Sequence, residues 1–153
     1  MTQASLLLRP EPDFHVSYAP EVPCAIMVWR GYHTSASFRE KNEQVLAFLT
    51  ACRAAKLLCD IRHFLLIDST DQAWLNEYWL PKALAAGLRQ CAIVTPLYYF
   101  NRVAVQSVVG RIDTQVLQVE YFESAVRARR WLARTDVPAK ARRPTVRRRR
   151  AST

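Results

Sequence analysis

The sequence predicts one α/β domain built on a mixed, mostly parallel sheet of about five strands with about four helices, the first strand antiparallel. Three observations carry this. Short apolar runs alternate along the chain with segments of helical period. Strands separated by helices pair in parallel through right-handed crossovers, whereas the short connection between the first two strands suits an antiparallel pair. At 153 residues, half of them hydrophobic, the chain is long enough for one core.

In chain order, residues 1–13 form an N-terminal extension, 14–135 the domain, and 136–153 a basic tail expected to be disordered. Residues 14–19 alternate between prolines and read as an edge strand. Residues 24–32, CAIMVWRGY, are a mostly continuous apolar run, as suits a strand covered on both faces. A helix is expected from Phe38 to Ala55, opened by a Ser37–Glu40 capping box, with Asn42 as a boundary residue in its apolar stripe. The third strand spans 56–62, and 63–69 leave it as a packed loop or short extension. A second helix starts near Thr70, capped by Ser69, with Trp74, Leu75, Tyr78 and Trp79 as its inner face. Pro81 should kink or split it, and Gly87 should end it. Residues 91–95 form the fourth strand, 98–109 a third helix, 115–121 the last strand and 124–133 the last helix.

The motif around which these elements are arranged is LLCDIRHFLLIDSTDQAWL, residues 57–75. It has a strand ending in Asp60, then Ile67-Asp68-Ser69-Thr70 opening a helix. This pattern resembles the STAS domain of bacterial anti-sigma-factor antagonists. It is similar in particular to an uncharacterised SpoIIAA-like branch, on Trp29-Arg30-Gly31, Asp71-Gln72-Ala73-Trp74, Tyr121-Phe122 and Trp131-Leu132. The resemblance covers about residues 14–133 and implies a non-enzymatic regulatory module of bacterial origin; a cytoplasmic location is the default expected of a sequence that shows neither a membrane span nor a signal peptide. The resemblance also implies that Ser69 is the phosphoacceptor of a switch. Asp71 stands where the family has glycine, and an acid beside the acceptor repels an incoming phosphate.

The residues themselves leave alternatives open. The plain reading of Ser69 is as a helix cap, with which a phosphorylation switch is compatible. Asp60, Arg62 and His63 close the third strand, and the carboxyl ends of strands are where open α/β sheets bind ligands. With Trp29, Arg30, Asp68, Gln72, Trp74 and Tyr98 they define an expected ligand or partner rim. The competing expectation is that Asp60 pairs with a nearby arginine while the aromatics roof the sheet. Four cysteines without a CxxC pair read as buried reduced thiols, and neither they nor the three histidines offer metal spacing. No cofactor is expected: with only three glycines there is no phosphate-cradling loop, and no catalytic triad is spelled out.

The net charge of +9 is concentrated in the tail, where Lys140, Arg142, Arg143, Arg147, Arg148, Arg149 and Arg150 lie among residues 137–153 without an acid. Removing those seven leaves fifteen basic against thirteen acidic residues. Such a tail holds phosphates non-specifically, so a nucleic-acid-associated protein is the second reading. No membrane insertion is expected, as no apolar run approaches the roughly 20 residues a span requires. The N-terminus lacks the basic region of a signal peptide. A protein partner or a small ligand is therefore expected near the second helix, whose exposed face also suits a homodimer.

Overall fold

The structure, a computed structural model, describes residues 12–65 and 67–136. It contains a five-stranded sheet in the order β1-β2-β3-β4-β5, with β1 (Phe14–Ala19) antiparallel to β2 (Cys24–Gly31) and the rest parallel. The parallel strands are β3 (Lys56–Phe64), β4 (Gln90–Val94) and β5 (Gln118–Phe122). The helical segments are α1 (Ser35–Cys52), α2 (Ser69–Trp74) continued through a π-helical turn (Leu75–Trp79) into α3 (Leu80–Ala85), then α4 (Tyr99–Val109) and α5 (Ala125–Arg134). The predicted fold class is observed.

Strand alternation divides the core into two layers. Met27, Trp29, Leu57, Cys59, Ile61 and Ile93 face α1 and the α2–α3 rod, whereas Cys24, Leu58, Ala92 and Val94 meet Ala128 and Leu132 of α5. The thicker layer contains an aromatic cluster in which the Trp29 ring lies 4.6 Å from Phe14, 5.4 Å from Phe38 and 5.5 Å from Phe64. All four cysteines are free. Cys24 and Cys59 are buried, but Cys52 and Cys91 are only half-buried. None of the helices among the described residues is long and apolar enough to cross a membrane.

Several element ends differ from the sequence expectation. Thr34 caps α1 by accepting the Ser37 N–H at 3.1 Å, so the helix begins three residues early and Ser37–Glu40 is not its capping box. The helix ends at Cys52 because Arg53 turns left-handed (φ 51°) and Ala54 N–H returns to the Leu49 carbonyl. The strand expected from residue 115 begins at Gln118, because Asp113 captures the N–H groups of Gln115, Val116 and Leu117 in a turn. At Gly87 the expectation holds. With φ +115° it accepts the conformation that closes α3, its N–H bonding Leu84 and that of Leu88 bonding Ala83.

Pro81 has the foreseen effect in an unforeseen form. Its ring would strike the preceding turn of a regular helix. The π turn widens the ladder there, Leu80 N–H reaching back to Leu75, and leaves Pro81 in the first turn of α3. The extra residue rotates the helix face. Trp79 is buried and its Nε1 donates to the Asn42 carbonyl at 2.7 Å, while Tyr78, expected inside, is exposed. Asn42 is correspondingly a buried joint rather than a boundary residue, its amide donating to the Phe38 carbonyl.

Candidate functional site

β3 runs without interruption from Lys56 to Phe64, and a register shift opposite Val28/Arg30 marks a bulge around Ile61 and Arg62. Asp60 holds the bulge. Its Oδ1 accepts the Arg62 N–H at 3.3 Å and Nε at 3.1 Å, and its Oδ2 accepts Nη2 at 2.9 Å. Burial pushes the Asp60 carboxyl up. The side-chain and backbone hydrogen bonds from Arg62, and the nearby charges of Arg62 and His63, outweigh it, so the group titrates below the usual carboxylate range. The depressed folded-state pKa has a definite sign. Its stabilisation is complete above the unfolded value of about 4 and is lost as pH falls through the folded value. The stability difference between the native chain and Asp60→Asn, followed by urea unfolding from pH 7 to 2.5, should be flat above about pH 5 and shrink below about 4.

β3 ends on the buried Phe64, and the connection after it buries Ile67 and delivers Asp68 to the start of α2. Asp68, not Ser69, is the N-cap. Its extended backbone turns Oδ1 to accept the Asp71 N–H at 2.8 Å, and Gln72 N–H bonds the Asp68 carbonyl. Ser69 is thereby moved inside the first turn, with its side chain and that of Thr70 exposed. Asp68→Ala should cost about 1 kcal/mol in urea unfolding and Ser69→Ala no more than about 0.5 kcal/mol.

Asp71, which stands where the resembled family has glycine, is the anchor of this turn. Asp71 is 4% exposed, and its Oδ1 accepts the Ser35 hydroxyl at 2.6 Å and Arg39 Nε at 3.0 Å. Both donors lie on the first turns of α1, so the carboxylate ties the two helix starts together. Arg39 also lies 5.6 Å over the Trp74 ring, which stacks on Tyr78. Nothing local in the sequence signals this pairing, since Ser35 precedes the expected helix start and Arg39 has Glu43 four positions on as an alternative partner.

The expected rim is divided by the structure. Trp29 is 3% exposed, its ring held in the aromatic cluster away from the rim. Asp60 and Arg62 satisfy each other on the sheet face that α5 covers. Arg30 and His63 face each other in register and are exposed. Gln72 is turned inward, its Nε2 donating to the Ile67 carbonyl at 3.3 Å. Tyr98 is exposed at the start of α4, beside Leu97, Tyr99 and Phe100. What remains contiguous is the first turn of α2, with Asp68, Ser69 and Thr70 outward and Asp71 and Trp74 beneath. The tail cluster from Lys140 to Arg150 lies outside the described residues.

A second polar cluster went unnoticed in the sequence. His33 is buried, its Nε2 donating to the Arg30 carbonyl at 3.0 Å and its Nδ1 lying 3.3 Å from Lys41 Nζ, with Asp13 alongside. Arg30 N–H bonds the Asp13 carbonyl, so Asp13 belongs to the domain rather than to an extension. Comparison of the chain with protein-family models, with curated proteins and with solved structures returned no match.

Proposed function

We propose that this chain is a non-enzymatic STAS-like binding module that docks a protein partner or a small ligand on the first turn of α2. One observation carries the reading: Asp68, Ser69 and Thr70 are exposed on a turn held rigidly from below by the buried Asp71 and its bonds to Ser35 and Arg39. A preorganised exposed turn lowers the entropic cost of docking. Ser69 is the regulatory position on it. The hydroxyl is accessible within the first turn, and an added phosphate would carry about −2 charge into the electrostatics of that surface. Asp71 opposes such a phosphate less than its position suggests, because Arg39 pairs with its carboxylate. Intact mass of the full-length chain purified from its own host tests the switch. A fraction about 80 Da heavier that disappears in Ser69→Ala supports it. Identical, unmodified masses for the two chains remove the switch and leave docking alone.

A second reading, association with nucleic acid, is favoured by α5. That helix carries no acid, and Arg127, Arg130 and Arg134 are exposed along it ahead of the seven basic residues of the tail. On this reading, binding to a generic DNA duplex weakens steeply with salt, and cutting the chain after Asp136 reduces the log–log salt slope by several units. Under the first reading, truncation leaves docking at α2 unchanged.

A further inference from the structure

Between the sheet and α4 lies a cavity of about 130 Å³. Its walls come from Cys59 and Ile93 on the sheet, Trp79 and Leu80 on the second helix, and Val105 and Val108 on α4, and its lining is almost wholly apolar. We propose that this cavity is a binding site for a small, neutral, apolar molecule, an aromatic ring or branched alkyl group of about benzene's size. The size is right: engineered apolar cavities of about 150 Å³ stay dry and take up benzene or xenon. The chemistry is selective as well. A buried water needs two to four polar partners, which these walls do not supply, so an apolar guest displaces no ordered water and gains dispersion contacts that the wall atoms lack.

Charged guests are disfavoured. The two thiols in the lining are held protonated by burial, Cys91 pushed up to about 12 and Cys59 raised well above its ordinary range, so neither offers a thiolate to a cation. The structure also provides an entrance. Leu75, Leu80, Val105 and Val108 are only half-buried along the seam between the second helix and α4. α4 packs on α2 and into the core, with Ala104 buried, and its Val105 and Val108 line the cavity together with the sheet. The site is distinct from the exposed turn of α2, and either can fail without the other.

The test uses benzene and xenon on the full-length chain. Saturating benzene is expected to raise Tm by about 3 °C, and xenon to shift the methyl resonances of Ile93, Val105 and Val108 while leaving those of Val126 on α5 in place. Val108→Phe, which fills the space from the α4 side, should abolish both responses. Wild-type protein with neither response, or Val108→Phe responding like wild type, overturns the proposal. Should Val108→Phe not fold, the xenon map of the wild-type methyls decides alone: shifts confined to the cavity support the site, and absent or uniformly distributed shifts reject it.

Discussion

Trp79→Ala is expected to destabilise the chain by about 3–5 kcal/mol, the range for truncating a buried aromatic residue. The indole is 6% exposed and stands where three parts of the fold meet: the π turn that carries it, the middle of α1, and the sheet. Its Nε1 donates to the Asn42 carbonyl at 2.7 Å, so the substitution removes a hydrogen bond between helices as well as apolar contact. The loss also enlarges the cavity that Trp79 borders, and the residual void adds to the cost. Trp79→Phe keeps most of the ring and loses the donor, so about 1–2 kcal/mol is expected. Urea unfolding monitored by far-UV circular dichroism measures both. Near-equal losses for alanine and phenylalanine would show the hydrogen bond to dominate over packing.

Asp71→Ala is expected to cost about 2–3 kcal/mol, because the buried carboxylate accepts one hydroxyl and one guanidinium hydrogen bond, and bonds to a charged group contribute about 1.5–3 kcal/mol. The figure stays below that for breaking a fully buried ion pair, since the Arg39 side chain is 36% exposed and can turn to water. Asp71→Asn keeps the shape and one acceptor and should lose about half as much. The link to function is separate from the link to stability. Without Asp71 the first turn of α2 loses its tie to α1, so the exposed Ser69 and Thr70 should become more mobile. Hydrogen exchange confined to the first turns of α1 and α2 is the expected signature. Faster exchange spread over the whole sheet would instead mean that Asp71 serves global stability.

Much of the fold was legible because its signals are local. The apolar runs of β2, β3 and β4 need both faces covered, and the Gly87 stop and the Pro81 disruption depend on backbone geometry that those residues impose wherever they stand. The site was harder to read because its determinants are long-range. Asp68 and Ser69 are both good cap residues and neighbours in sequence, and only the path of the chain after Ile67 decides that Asp68 occupies the extended position. Asp71 reads in the sequence only as the acid in place of the resembled family's glycine, yet Ser35 and Arg39 reach it from more than thirty positions earlier. Trp29 looked like a rim aromatic because it precedes Arg30 and Gly31 at a strand end, but strand alternation sends its ring into the thick layer while Arg30 goes to solvent.

The central claim is that the first turn of α2 is a docking face, and site-specific photo-crosslinking in the native host tests it most directly. A photoreactive side chain would replace Thr70 on that turn and, as a control, Glu120, which is exposed on β5. One discrete crosslinked species is expected from position 70, none from position 120, and loss of the species when Asp71→Ala is added. Equal crosslinking from both positions, or none from either while the chain is folded and expressed, would contradict it.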